Sequence, residues 1–293
     1  MPQKLLIYLF ILSFCKCGTE PVSDKKAIVT KEKSDLEIPE LEINYHLIPI
    51  DSNSIAWLSS IKSDDSLKLI YYLNRIDKRY LLTQDSVLLP DTFINDILQY
   101  APFPQSVTAL TDIHKIIFFS YLAQSFAVYE QGKLIRWGPV SMGKFDSRTP
   151  LGLFNTNWRS KRAISTVNKD WIMNWFYNLE NIGGASMHEY DLPGFPASHA
   201  CVRLLQTDAF WFYNWADSWI PIDSTKIAAQ GTPVIIYGSY PFGKRRPWRA
   251  LAEGNRSTII TEKGITQEVQ NFLPLILKQK LERDSVILKK AVQ

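Results

Sequence analysis

Closely spaced β-type segments limit the folds open to this chain more than any other feature. Lys115–Ser120 and Ser125–Glu130 are rich in β-branched and aromatic residues, and a Gln-Gly turn leads from the second into Lys133–Met142. A last apolar segment, Thr232–Tyr237, is followed by a glycine. Short segments of this type joined by tight turns predict β-hairpins, so we expect a mainly β domain over residues 112–238.

This domain should also contain an aromatic cluster and a helix. Residues 171–177 include two Trp, one Phe and one Tyr, which form either core or the wall of a binding groove. The sequence favours neither reading. Thr207 or Asp208 is expected to cap a helix that runs through Trp211 and Trp215.

The N-terminus predicts export. Lys4 precedes the apolar run Leu5–Phe14, which has the charged start and length of a secretory signal and is too short to cross a bilayer. Cys15 and Cys17 stand where this run ends, and the residues before Cys15 resemble a loose lipoprotein box. We expect a signal peptide over residues 1–17, a lipid on Cys15 or alternatively Cys17, and a location in the cell envelope, periplasmic or membrane-attached.

Three further segments flank the β domain. Residues 18–40 are dominated by charged and small polar side chains, which predicts a disordered tether. Residues 41–111 combine helical patterning at 53–73 with an apolar segment ending in Pro, so we expect a small α+β module. Its helix, Leu-Asn turn, strand and Pro resemble the second half of a LysM glycan-binding module; the alternative is a packing module. Residues 239–293 have near-helical apolar spacing, which predicts a helical extension with Pro274 as a kink or start.

Charge argues against a nucleic-acid partner. The formal net charge is only +4, and the basic residues are scattered except at Lys244-Arg245-Arg246. That short cluster is expected to be a solvated turn.

Cys201 is the only cysteine outside the predicted signal region. Exported proteins usually pair their thiols, so a lone one is either a small buried hydrophobe or a reactive group. His188 and His199, two of the four histidines, lie close to it in sequence. An imidazole beside a thiol is what nucleophilic sulfur chemistry needs, and we expect an imidazolium or backbone N–H groups to hold Cys201 as a thiolate.

Three motifs occur in a fixed order. Val140-Ser141-Met142-Gly143-Lys144 precedes Thr149-Pro150-Leu151-Gly152-Leu153-Phe154, and His188 precedes Ser198-His199-Ala200-Cys201-Val202-Arg203. Together they resemble the L,D-transpeptidase (YkuD) family, in which Thr-Pro-x-Gly-x-Phe is followed by a His and then by Ser-His-Gly-Cys with an Arg one residue on. The resemblance covers residues 113–238 and implies a β-sandwich-like catalytic domain with little helix.

The resemblance implies the chemistry of the site. Cys201 would attack an acyl donor, and His188 would take its proton and later hand it on. Backbone N–H groups around His199, Ala200 and Cys201 would form an oxyanion hole, in which each donor is worth about 2.7–4 kcal/mol of barrier.

The remaining residues of the stretch would support this chemistry. Ser198 is expected to bond within its own turn, and His199 to support the loop or polarise the site. Arg203 would hold a peptide carboxylate or pin the loop. Ala200 stands where the family has Gly, which strains the backbone if φ is positive but keeps the N–H.

The segment between His188 and Cys201 is short and contains two Pro and one Gly within residues 193–196. It is expected to be a tight connection that brings both side chains to one pocket. Glu189 should face away from His188 on a strand, as a solvated carboxylate, and a backbone carbonyl that oriented His188 would leave no trace in sequence.

By resemblance, the reaction is acyl transfer on peptidoglycan stem peptides through a Cys201 thioester, with no cofactor or metal. The acyl acceptor stays open: water would make the chain a carboxypeptidase and a free D-amino acid an exchange enzyme. A non-catalytic peptidoglycan-binding protein and a metal hydrolase are also compatible with these residues. The metal hydrolase would use side chains that all bind zinc, although no His-Glu-x-x-His spacing is present: His188, Glu189, His199 and Cys201.

Overall fold

The computed structural model describes residues 43–165, 168–181 and 184–292. The predicted signal peptide at 1–17, with its anchor candidates Cys15 and Cys17, and the predicted tether at 18–40 lie outside the described residues. The described residues from Ile43 onward form one compact unit. In the part described, no helix has the length and apolar character needed to cross a membrane.

Most strands belong to one central sheet. Its strands are β3 (Ile116–Ser120), β4 (Ser125–Glu130), β5 (Lys133–Ser141), β6 (Gly152–Asn155), β7 (Arg159–Ile164), β8 (Ile172–Asn178), β9 (Ser186–Glu189), β10 (Val202–Leu204) and β13 (Pro233–Tyr237). They lie in the order β6-β13-β3-β4-β5-β10-β9-β8-β7. Two short pairs lie outside it: β1 (Tyr45–Pro49) with β2 (Ser86–Pro90), and β11 (Ile220–Pro221) with β12 (Ile227–Ala229).

The α-helices of the described part are α1 (Ser52–Ser60), α2 (Asp64–Asn74), α3 (Gln206–Trp215), α4 (Glu262–Gln270) and α5 (Leu273–Val292). Short 3-10 helices cover Lys78–Thr83, Ile97–Tyr100, Thr108–Leu110 and Pro247–Glu253. The strand predictions at β3, β4, β5 and β13 are confirmed.

Strand β5 joins two halves of the central sheet. Its residues 133–139 pair with β4, whereas Val140 and Ser141 pair with β10. Apolar side chains from both halves, such as Phe126 and Met187, meet Phe212 of α3 in one cluster. The expected mainly β, sandwich-like fold is therefore confirmed.

The first half of the sheet is buried on both faces. In β3, Ile117 and Phe119 contribute to the cluster with α3, while Ile116 and Phe118 contribute to a second cluster with α2, α4 and α5. All four side chains are fully buried. Because side chains alternate faces along a strand, a continuous apolar run is what a strand covered on both sides requires.

The helix predicted after Cys201 is confirmed as α3, but its predicted cap is wrong. Leu205 is the N-cap residue and makes no side-chain cap bond. Asp208 lies inside the helix, where it accepts hydrogen bonds from the Tyr72 hydroxyl (2.9 Å) and from Nη2 of Arg136 (2.6 Å). The Asp208 carboxylate therefore pairs with Arg136 of β5, which is distant in sequence, and does not cap the helix as the local pattern predicted.

Residues 45–90 fold as an N-terminal module with the order β1-α1-α2-β2, in which β1 and β2 pair antiparallel. The helical patterning of 53–73 is divided between two helices. Asp51 caps α1 in a capping box with Ser54, and Ser63 caps α2. The Asn74 side chain then ties α2 to β2 through two bonds with the backbone of Leu88, of 2.9 and 2.7 Å.

Arg75 joins this module to the rest of the molecule. It ends α2 with a left-handed φ of 60°, and its Nε donates to the carbonyl of Ala123 (2.8 Å). Its guanidinium lies 5.7 Å from the ring centre of Trp137 and 5.4 Å from that of Trp248. Burial lowers the pKa of Arg75 to about 9. The module, the central sheet and the C-terminal extension thus share one buried contact.

The predicted C-terminal extension is helical, and it packs on the sheet. Ile265 and Val269 of α4 and Ile276 of α5 are buried in the cluster that covers one face of β3. Pro274 is the second residue of α5, so it starts the helix and does not kink it.

Candidate active site

Two adjacent parallel strands carry the predicted nucleophile and base. In the register of β9 and β10, His188 lies opposite Arg203, and Met187 lies opposite Val202. Alternation sends the Met187 pair into the core and leaves His188 and Arg203 on the opposite face. Cys201 directly precedes β10, which makes it a diagonal neighbour of His188 on that face.

Both groups open into one cavity of about 310 Å3. Cys201 is half-buried and His188 is buried. The walls combine apolar and polar side chains: Trp158, Ile164, Trp171, Met173, Phe176, Asn178, Glu180, Ser186, Tyr190, Ser198, His199, Ala200 and Arg203. The structure therefore brings the residues predicted from the third motif together.

A backbone carbonyl orients His188. Its Nδ1 lies 2.8 Å from the carbonyl oxygen of Glu189, which can only accept, so Nδ1 carries the proton and Nε2 is free to take one. Burial lowers the pKa of His188 to about 4, although the carbonyl bond works in the opposite direction. The imidazole is therefore neutral at neutral pH.

Cys201 sits between two oxygen atoms. The Ser186 hydroxyl donates to Sγ (3.0 Å), and Sγ lies 3.8 Å from the carbonyl oxygen of Gly184. Burial raises the pKa of the Cys201 thiol, while the Ser186 hydrogen bond and the charge of Arg203 lower it to a lesser extent. The neutral imidazole and the burial of the sulfur therefore both favour the thiol over the expected thiolate.

Ser198 pins the turn before the nucleophile. Its hydroxyl donates to the carbonyl of Cys201. Its backbone N–H donates to Met142 (3.0 Å), and its carbonyl accepts from the N–H of Lys144 (2.9 Å). The backbone of the first motif therefore fixes the first residue of the third motif through two hydrogen bonds.

The second motif braces the same loop. The Thr149 hydroxyl accepts from the N–H of Gly143 (2.9 Å), and the Thr149 N–H donates to the hydroxyl of Tyr121 (2.6 Å). A Cβ at Gly143 would lie 2.2 Å from the carbonyl oxygen of Ser147, so only glycine fits. Gly143 therefore allows the first motif to pack closely against the segment that leads into the second.

Ala200 adopts φ of 76°, in the left-handed region, where the family has glycine. Its N–H donates to the carbonyl of Ser147 (3.0 Å). The expected oxyanion hole must be corrected at this residue, because that N–H is already used within the loop. His199 and Cys201 supply the remaining candidate N–H groups.

His199 forms part of the cavity wall. Its ring lies 4.8 Å from that of Trp171, and its Nδ1 is buried with no hydrogen-bond partner among the described residues. Burial lowers its pKa, and the charges of Lys144 and Arg203 act in the same direction.

Arg203 lies at the edge of the cavity. Its guanidinium is 4.5 Å from the ring centre of Tyr190, and Nη1 lies 3.5 Å from the backbone carbonyl of Asp191. The Asp191 carboxylate itself pairs with Arg79. Arg203 therefore keeps donors for a ligand carboxylate.

The aromatic cluster at 171–177 serves both predicted purposes. Trp171 and Phe176 line the cavity, whereas Tyr177 is in the core and Trp175 packs on Phe210 of α3. A register shift of β8 with φ of 51° at Trp175 produces this division. A bulge of this type has no signature in the sequence.

Ser186 is the functional residue that the sequence did not reveal. It is a buried strand residue two positions before His188, and its only signal was that spacing of two, which puts both on one face.

The four side chains of the metal alternative do not converge. His188, His199 and Cys201 line one cavity, whereas Glu189 lines a second one beside Asp77 and Asp191. Within the described ranges, no group of three or more His, Cys, Asp or Glu side chains has the arrangement of a metal site.

Comparisons with known proteins find one matching family model and several similar solved structures. Residues 114–236 match the family model described as YkuD, L,D-transpeptidase catalytic domain. The L,D-transpeptidase from Stackebrandtia nassauensis is 23% identical, with 44% of this chain and 57% of that chain covered and a TM-score of 0.36. The L,D-transpeptidase of Xylanimonas cellulosilytica is 24% identical, with 48% of this chain and 66% of that chain covered and a TM-score of 0.36. The L,D-transpeptidase of Mycobacterium smegmatis is 20% identical, with 43% of this chain and 59% of that chain covered and a TM-score of 0.35.

The chain thus spans less than two thirds of the length of these solved structures. A search of curated proteins found no match. The match covers the connection between His188 and Cys201 and the residues that line the pocket, so residues 114–236 are similar to the L,D-transpeptidase catalytic domain of the YkuD family.

Proposed function

We propose that this chain is an L,D-transpeptidase that transfers an acyl group between peptidoglycan stem peptides through a thioester on Cys201. The observation that carries the proposal is the shared cavity, in which a half-buried thiol and a correctly oriented imidazole face the same space. Both lie within the segment that matches the catalytic domain family.

Acylation starts from the neutral pair. As Sγ of Cys201 forms a bond to the peptide carbonyl carbon, its proton moves to Nε2 of His188. The Glu189 carbonyl stabilises the imidazolium through Nδ1–H. The N–H groups of His199 and Cys201 supply hydrogen bonds to the oxygen that becomes negative. The C–N bond then breaks, and His188 gives its proton to the departing amine.

Deacylation reverses these roles. An amine attacks the thioester carbonyl, His188 accepts the amine proton, and the sulfur leaves and is reprotonated. The apolar side of the cavity, with Trp158, Trp171 and Phe176, disfavours water as the acceptor. This supports transfer to an amine over hydrolysis, which would make the chain a carboxypeptidase.

Arg203 would bind a carboxylate of the stem peptide. Its planar donors face the cavity beside Tyr190 and are suited to a bidentate contact. A carboxylate bound there would also place its peptide within reach of Cys201 on the same face.

Two separate reactions of the purified chain test the proposal, one with a carbapenem and one with a tetrapeptide stem and an amine acceptor. Mass spectrometry should find an adduct on the Cys201 sulfur and a cross-linked product, both absent from Cys201→Ala. A hydrolysed tripeptide without cross-link would identify a carboxypeptidase. No adduct and no product from the native chain would remove catalysis and leave the peptidoglycan-binding alternative.

The location in the envelope is a separate proposal. The charged and apolar start of the chain supports export, and Cys15 supports attachment through a lipid. Mass spectrometry of the mature N-terminus should find a lipid-modified cysteine as the first residue. An unmodified chain that starts elsewhere would contradict the anchor.

A further inference from the structure

The segment that connects the base to the nucleophile is held from outside the family domain. This connecting loop, residues 190–197, contains Pro193, Gly194 and Pro196 and belongs to no strand. Two of its residues lack a backbone N–H because they are prolines, so its position depends on what packs against it.

Asp77 of the N-terminal module holds this loop through two hydrogen bonds, one as donor and one as acceptor. The Asp77 backbone N–H donates to the carbonyl of Leu192 (3.0 Å), and the Leu192 N–H donates to Oδ2 of Asp77 (3.0 Å). Ile76 and Pro193 form an antiparallel bridge beside these bonds. Leu192 and Ile76 are fully buried.

A second set of contacts connects the N-terminal module to Arg203 at the edge of the cavity. Arg79 pairs with both Asp77 and Asp191. The carbonyl of Asp191 faces the guanidinium of Arg203, and Tyr190 lies beneath that guanidinium. The position of Arg203 is thus coupled to residues more than a hundred positions earlier in the chain.

Gly194 shows how closely the parts approach. It has φ of 86°, and a Cβ there would lie 3.0 Å from Cγ2 of Ile76 and 3.0 Å from Nη1 of Arg246. Arg246 also bonds to Gln84 and lies over Phe195. The expected solvated turn at 244–246 is therefore wrong for Arg246, because the side chain is half-buried between the module and the loop.

We propose that the N-terminal module is an integral part of the active site and that Asp77 is its positioning residue. By holding the connecting loop, Asp77 sets where His188 and Arg203 lie relative to Cys201. The family domain alone, residues 114–236, would lack this support. The link to acylation rests on the proposed function, whereas the effect on the thiol does not.

Full-length Asp77→Ala and Asn74→Ala provide the test. Asn74 lies three residues away, and its side-chain bonds to described residues stay within the module, at Ile70 and Leu88. Its variant therefore removes buried hydrogen bonds without touching the loop. Arg79→Ala removes the ion pairs of the exposed Arg79 side chain and leaves the Asp77 bonds to the loop in place. It provides a second test if Asp77→Ala does not fold.

The readouts are the rate of Cys201 alkylation by iodoacetamide across pH and the rate of carbapenem acylation. In Asp77→Ala we expect alkylation at neutral pH to fall several-fold, with its apparent pKa raised as Arg203 moves away. Acylation should fall by up to about 100-fold, the cost of a small misplacement at a reacting centre. Arg79→Ala should change both less, and Asn74→Ala should change neither.

An Asp77→Ala or Arg79→Ala enzyme with native alkylation and acylation rates, and only a lower melting temperature, would overturn the proposal. If the native chain is not acylated at all, the proposed function fails, but the alkylation series still decides whether Asp77 positions the site.

Discussion

Two regions of the molecule bury ionisable side chains and treat them in different ways. Around Asp208, Tyr72 of α2 and Arg136 of β5 supply hydrogen bonds of 2.9, 3.0 and 2.6 Å to a fully buried carboxylate. Around Cys201, two imidazole nitrogens make no hydrogen bond with a described residue: Nε2 of His188 and Nδ1 of His199.

This difference separates stability from chemistry. A buried charge whose partners are all present holds three elements together, and it costs several kcal/mol when one partner is removed. Groups left without partners cost stability but remain available to a substrate. Variants in the two regions should therefore change different quantities.

The largest expected effect follows from Cys201→Ala. Without the nucleophile no thioester forms, so we expect acyl transfer to fall by at least about 10⁴-fold. Because Cys201 is half-buried and only weakly bonded, the free energy of unfolding should change by less than about 1 kcal/mol. Turnover assays and urea denaturation measure the two quantities. A large loss of stability would contradict the division between the regions.

Asp208→Ala should show the opposite pattern. It leaves the buried Tyr72 and the partly buried Arg136 without their acceptor, so we expect a loss of about 3 kcal/mol in the free energy of unfolding. Where the variant remains folded, carbapenem acylation of Cys201 should stay near the native rate. Urea denaturation followed by tryptophan fluorescence measures the loss, and Arg136→Met with Asp208→Leu is the matched apolar control.

The pH dependence sharpens the comparison at His188. Since burial lowers its pKa to about 4, the base stays neutral, and acylation should be retained until the pH approaches 4. The unfolded pKa is near 6.5, so the stability that the neutral imidazole contributes is present above 6.5 and lost as the pH falls through 4. This amounts to roughly 3 kcal/mol. An acid limb of the acylation rate near 6.5 would contradict the assignment.

Ser186→Ala removes the hydroxyl that donates to Sγ. We expect the pKa of Cys201 to rise further and acylation to slow by about tenfold, the effect of one hydrogen bond to a charged group. Alkylation across pH measures the thiol directly. An unchanged profile would show that Ser186 only fills space.

The smallest effect is expected for Ala200→Gly. The left-handed φ of 76° costs an alanine about 1 kcal/mol, which glycine avoids, although glycine also adds freedom to the unfolded chain. We expect a gain in stability of up to about 1 kcal/mol with activity retained. Thermal unfolding measures it, and Ala197→Gly in the same loop is the control.

Much of the fold and the principal site residues were predictable from sequence. Runs of β-branched and aromatic residues and the turns between them are local, so they placed β3, β4, β5 and β13 correctly. The cysteine and histidines that the motif singled out do line one pocket. Asp208 was misread because a local rule for helix caps competes with a partner 72 positions away.

The sequence by itself determined which segments form strands and which side chains are able to react, because both depend on residue type and short spacing. Only the tertiary structure decided that Glu189 orients His188 through its carbonyl, that Ser186 touches the sulfur, and that Asp77 holds the connecting loop. A backbone carbonyl is the same in every residue, and contacts across long stretches of chain exist only after folding. The ionisation of Cys201 belongs to the second group, since burial and neighbouring charge set its pKa.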